Sequence, residues 1–147
     1  MRKVLVVEDE VGVRRAITRL LNDRGFGTIE AGNGREAIQR LTEETPLAII
    51  IDLFMPVMSG VELLKALRRN AYYRKIPTVV VTGASTDEVY GVPTVIKPNI
   101  EGLPRLIESL VANRGSTPTP AEGVPQAQPA HSPSSPLVAS GAGSAAT

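Results

Sequence analysis

The chain has no cysteine and a single histidine, His131. It therefore forms no disulfide and no thiolate metal centre, and one isolated imidazole is read as a solvated residue, because metal sites need several convergent ligands. No apolar run approaches the ~20 residues that span a bilayer. Met1-Arg2-Lys3 precedes an apolar stretch, but that stretch stops at Glu8-Asp9-Glu10, too soon for the core of a signal peptide. Net charge is only +1, which gives no bulk attraction to nucleic acid or to membranes. These absences point to a soluble, cytoplasmic protein.

What is present is enough for a core: 42% of the 147 residues are hydrophobic, which suits one domain of ordinary size. Leu47-Ala48-Ile49-Ile50-Ile51 runs without alternation into Asp52, the pattern of a strand buried on both faces. Pro56 stops that strand from continuing as a central ladder. Val4-Leu5-Val6-Val7 and Pro77-Thr78-Val79-Val80-Val81-Thr82 read the same way, Gly27 to Ala31 as a weaker strand nearer an edge, and Val92 to Lys97 as the last. Between them the apolar period becomes helical. Val13, Ala16, Ile17, Leu20 and Leu21 form one stripe, ended by Gly25. Ala37, Ile38 and Leu41 form another behind Asn33, and Val61, Leu63, Leu64 and Leu67 a third behind Ser59, two residues suited to cap helices. Leu103, Leu106, Ile107, Leu110 and Val111 stripe the last helix.

This alternation predicts an α/β fold: a doubly wound five-stranded parallel sheet in the flavodoxin-like order 2-1-3-4-5, with helices on both faces. Residues 1–113 make the domain. Residues 114–147, rich in Pro, Ser, Ala and Gly, lack the apolar periodicity to offset ordering entropy and are expected to be disordered. In that strand order ligands bind beyond the carboxyl ends of the first and third strands. The first strand presents Glu8 and Asp9 there, the third Asp52, the fourth Thr82 and the fifth Lys97. Three carboxylates so close must hold protons or a cation. An oxygen-only donor set selects a hard ion, Mg²⁺ or a relative such as Mn²⁺. Lys97 suits a phosphoryl oxygen and Thr82 can donate to another, with Asp52 as nucleophile of an in-line phosphoryl transfer.

At Val6-Val7-Glu8-Asp9-Glu10, Asp52-Leu53-Phe54-Met55-Pro56-Val57-Met58-Ser59-Gly60, Val81-Thr82-Gly83 and Ile96-Lys97-Pro98 the sequence resembles the receiver domain of bacterial response regulators, the CheY-like family. The resemblance implies that Asp52 takes a phosphoryl group from a sensor histidine kinase or a His phosphotransfer protein. It implies Mg²⁺ ligation by Asp9, Asp52 and the backbone carbonyl of Phe54, with Glu8 acting through a metal-bound water. Lys97 pairs with the phosphoryl group, and Thr82 swings in to hydrogen-bond it. Partner docking falls on Glu10, Val11, Gly12, Val13 and Ala16, although Val13 and Ala16 also suit plain core packing.

Some features depart from the family. Only fourteen residues separate Thr82 from Lys97, so the fourth helix is expected to shrink to one turn within Ser85–Tyr90 or to a loop. The usual switch aromatic is replaced by Thr94; Tyr90 on the shortened loop could substitute or could simply be solvated. Phe54 and Ala84 cannot orient a water by side-chain hydrogen bonding, which leaves loss of the phosphoryl group limited by access. The resulting reading is a single-domain phosphorelay response regulator with an unknown downstream protein target. It binds no nucleic acid or membrane, and its only activity is its own phosphorylation and dephosphorylation. Two alternatives stay open: a receiver-shaped interaction module that is never phosphorylated, and a phosphatase of the haloacid dehalogenase type, which is weakened because Phe54 stands where that family has a second Asp.

Overall fold

The computed structural model of the chain describes residues 2–83 and 91–114. The expectations placed on Ala84, Ser85–Tyr90, His131 and the 115–147 segment lie outside these residues.

Strands β1 (Lys3–Val7), β2 (Gly27–Ala31), β3 (Ala48–Asp52), β4 (Thr78–Thr82) and β5 (Thr94–Ile96) alternate with helices α1 (Val11–Asp23), α2 (Gly34–Glu43), α3 (Gly60–Arg69) and α4 (Leu103–Asn113). All strand pairs are parallel, in the order β2-β1-β3-β4-β5. The unbroken apolar runs are explained by the two-residue period of a strand, which sends successive side chains to opposite faces. Leu5, Val7, Ile49, Ile51 and Val80 pack with Ala37, Leu41, Leu63 and Leu67 of α2 and α3. Val4, Val6, Ile50, Val79 and Val81 pack with Ile17, Leu21, Leu103 and Ile107 of α1 and α4. Each fully buried aliphatic side chain contributes about 1.5–3 kcal/mol of transfer free energy. A sheet covered on both sides uses every residue of its central strands in this way.

Local signals set the helix ends. The Asn33 side chain accepts a hydrogen bond from the Glu36 N–H at 2.9 Å. Ser59 accepts from the Glu62 N–H while Glu62 accepts from the Ser59 N–H, a reciprocal capping box at the start of α3. Gly25 follows α1 at φ +86°, a conformation that disfavours any side chain.

The last strand is shorter than its sequence suggests. It spans Thr94–Ile96 rather than Val92–Lys97, and its end residues are exposed. Pro93 has no N–H for the ladder and contributes only its carbonyl, which accepts from the Val80 N–H at 2.9 Å. A short 3₁₀ turn at Tyr73–Lys75, unforeseen from the sequence, joins α3 to β4. Among the described residues, no helix is long and apolar enough to cross a membrane.

Candidate functional site

The registers of β1, β3 and β4 bring their carboxyl ends level: Val7 pairs with Ile51, and Asp52 with Val81. Glu8 leaves β1 only 1% exposed, and Asp52 ends β3 only 4% exposed, while Asp9 stands in solvent. Glu8, Asp9 and Asp52 each bring a carboxylate oxygen within 4.8 Å of the others. Lys97, just past β5, places its Nζ 2.9 Å from Glu8 Oε2 and 3.5 Å from Asp52 Oδ1. Its backbone N–H donates to the Thr82 carbonyl at 2.8 Å, so β4 carries the lysine to the acids. Glu8 Oε1 accepts from the Glu10 N–H at 3.2 Å, and Asp52 Oδ1 from the Phe54 N–H at 3.4 Å. These groups line an open cavity of about 500 Å³, with Phe54 exposed at its mouth and Gly83 on its wall. Thr82 ends β4 fully buried and is not part of that lining.

The electrostatics follow from burial. Desolvation pushes the Glu8 carboxyl up to about 7, against the pull of the Lys97 ammonium and with Asp52 adding to the rise. Burial likewise raises Asp52, with Glu8 and Lys97 opposing it. For Lys97 burial disfavours the charge, but Glu8 and Asp52 outweigh it and hold the ammonium above its ordinary value. One ammonium thus faces three carboxylates, and the group is short of positive charge. Glu8 Oε2, fully buried, is held by the Lys97 ammonium at 2.9 Å. An all-oxygen donor set in which three carboxylates share one ammonium fits a hard divalent cation.

Of the residues expected to dock partners, Glu10, Gly12, Val13 and Ala16 come together with Lys97, Pro98 and Ile100 around a mostly apolar pocket of about 290 Å³ beside the acids. Val11 lies apart, in a hollow shared with Arg14 and Arg15. Ala16 is exposed, which removes core packing as its role, whereas Val13 is half-buried against the core. Thr94 is exposed, its hydroxyl donating to the Val92 carbonyl at 3.0 Å.

Sequence reasoning passed over two residues. Arg14 donates from Nη1 to the Glu8 carbonyl at 2.7 Å and from Nε to Glu30 Oε1 at 3.1 Å, tying the acidic loop to β2. Its position among other arginines on a helix reads as a solvated face. Gly60 opens α3 against the end of β3, its N–H donating to the Leu53 carbonyl at 2.9 Å. A β-carbon there would meet the Asp52 carbonyl oxygen and come within 2.7 Å of Leu53 Cα. The Ser-Gly pair before an apolar stripe was the available signal. Val57, in the loop between them, sits at φ +70°, an unfavourable left-handed conformation for a β-branched side chain.

Residues 4–97 match the profile of the response regulator receiver domain. The chain belongs to that family. Over 95 residues it is 37% identical to the phosphate regulon transcriptional regulatory protein PhoB of Escherichia coli K12, covering 63% of this chain and 42% of PhoB. The chain thus spans less than half the length of that relative. Among solved structures, the chemotaxis protein CheY4 of Vibrio cholerae superposes with a TM-score of 0.67 at 30% identity, over 75% of this chain and 98% of CheY4. The response regulator TrrA of Thermotoga maritima, solved in complex with Mg²⁺ and BeF, gives a TM-score of 0.68 at 25% identity, over 75% of this chain and 99% of TrrA. As a receiver domain, the chain carries the sheet order and the carboxyl-edge acids expected of it.

Proposed function

We propose that this receiver is a phosphoacceptor of a two-component or phosphorelay system, in which Asp52 takes the phosphoryl group of a phosphohistidine on a sensor kinase or phosphotransfer protein. The observation that carries the reading is the convergence of the half-buried Lys97 on buried Glu8 and Asp52, at 2.9 and 3.5 Å, with Asp9 within carboxylate reach. Asp9, Asp52 and the Phe54 carbonyl would hold Mg²⁺ or Mn²⁺, with Glu8 acting through water. When bound, the ion supplies positive charge against the oxygens of the transferring group. That TrrA was solved with Mg²⁺ and BeF supports the assignment.

An Asp52 carboxylate oxygen attacks phosphorus in line; the new O–P bond forms as the N–P bond breaks, and the imidazole leaves. Lys97, already against Asp52 Oδ1, balances the charge gathered on the phosphoryl oxygens. The Thr82 hydroxyl donates to one of those oxygens once its side chain turns toward the cavity. Phe54, 59% exposed, offers a water no side-chain hydrogen bond, so loss of the phosphoryl group is set by access. The donor docks on the apolar pocket of Gly12, Val13, Ala16, Pro98 and Ile100, which shares Glu10 and Lys97 with the acidic cavity. The protein works in the cytoplasm, turns over no other substrate, and signals by protein contact.

The test is incubation with Mg²⁺ and acetyl phosphate, read by intact mass and released phosphate. A single phosphoryl adduct, absent in Asp52→Asn, is the expected result. No adduct in the native protein leaves the interaction-module reading, and rapid hydrolysis of varied phosphate esters leaves the phosphatase.

A further inference from the structure

The chain's near-neutral balance conceals a polar distribution of charge. From Gly60 to Thr78 five cations, Lys65, Arg68, Arg69, Arg74 and Lys75, stand against Glu62 alone; the rest of the chain is net negative. The side chains of Lys65, Arg69, Arg74 and Lys75 are exposed and pair with no carboxylate among the described residues. Within this basic segment opens a groove of about 310 Å³, at the amino ends of β4 and β5 and so at the opposite edge of the sheet from Asp52. Leu64, Leu67, Tyr73, Ile76, Val92 and Pro93 line it, and Arg68, Arg74 and Lys75 share that lining. Leu64, Leu67 and Ile76 are core residues, with Tyr73 and Val92 packed against the same cluster. The floor of the groove is thus buried core, its accessible apolar wall is Tyr73, Val92 and Pro93, and Arg74 and Lys75 stand exposed at its rim.

We propose that this groove docks an acidic peptide segment of a partner protein. The segment seats one aliphatic or aromatic side chain against Tyr73, Val92 and Pro93 and sets carboxylates toward Arg74 and Lys75. The pairing of slot and charge selects this occupant. A nucleic-acid backbone or an anionic bilayer binds through cations alone and leaves an apolar slot unused. An uncharged apolar peptide ignores the exposed Arg74 and Lys75 at the rim, whereas an acidic one gains both steering and register from them. The proposal does not depend on phosphorylation, because no residue of the acidic site lines the groove.

Selection of a displayed library of random twelve-residue peptides on the full unphosphorylated chain tests it. Enriched peptides are expected to carry at least two acids flanking an apolar residue. The double variant Arg74→Glu/Lys75→Glu, changed only at exposed positions, is expected to bind them at least tenfold more weakly. Replacing the peptide's apolar anchor by Ser costs a similar factor, and amide shifts fall on Tyr73–Ile76, Thr78 and Gly91–Val92. Enrichment without acidic bias, or binding that survives the double variant within threefold, overturns the proposal. So does tighter, variant-sensitive binding of a twenty-base-pair DNA duplex or of phosphatidylserine vesicles.

Discussion

The two ends of β4 meet charge in opposite ways. At the Thr82 end, Glu8 and Asp52 are 1% and 4% exposed, and desolvation raises both carboxyls. At the Thr78 end, Arg74 and Lys75 stand in water beside an apolar groove. Withdrawing a carboxylate from water costs several kcal/mol unless a partner offsets it, and such a cost persists where a reaction needs concentrated charge. Solvated cations cost little and individually contribute little; they act by number. The first edge is specified residue by residue, the second by composition, and substitutions should divide accordingly.

The largest expected effect tests how rigidly the acidic edge is built. Gly60→Ala forces α3 away from the Asp52 carbonyl and Leu53 Cα, and should destabilise the fold by more than about 2 kcal/mol in urea titration, as overpacking against backbone does. A loss below about 0.5 kcal/mol would mean that the end of β3 yields and that the edge is less fixed than its geometry implies. Next is Glu8. Its native value lies near 7 and its ordinary value at 4.5, so between these the native state keeps a proton that the unfolded state releases, and stability falls as pH rises through that window. In chelator-treated buffer the fall should be about 3 kcal/mol, and Glu8→Gln should remove most of it. Equal slopes in both proteins would place the burial cost elsewhere. The smallest effect belongs to the other edge. Arg74→Glu/Lys75→Glu should change unfolding free energy by under about 0.5 kcal/mol and leave the rate of phosphorylation by acetyl phosphate within twofold. A larger change in that rate would join the two edges into one device and break the contrast.

Much of this was legible in the sequence, for a physical reason. Strands buried on both faces must be apolar at every position, so β1, β3 and β4 announce themselves, and whatever polar residue ends each of them falls on one edge. That is why Glu8, Asp52, Thr82 and Lys97 could be named before their distances were known. β5 was read too long because Val92, Val95 and Ile96 look like core, yet at this sheet edge Ile96 is exposed, and Val92 and Val95 are only half-buried, one against each core cluster. Arg14 and Gly60 were missed because their roles are tertiary: one reaches a backbone carbonyl six residues away, the other leaves space for a strand end. The groove between α3 and β5 was equally invisible, since its lining is brought together from α3, the turn after it and the residues just before β5, segments far apart in sequence.

The sheet order carries a consequence in time. β1 and β3 each have neighbours on both sides, so the amides of Val4–Val7 and Ile49–Ile51 should exchange with deuterium only when the whole domain opens. β5 is three residues long, exposed at both its ends and paired on one side alone. Its amides, with that of Lys97, should exchange by local opening orders of magnitude sooner. The acids thus stand on the slowest part of the molecule and their cation on one of the fastest. Lys97 can leave and return many times within the lifetime of a folded Asp52.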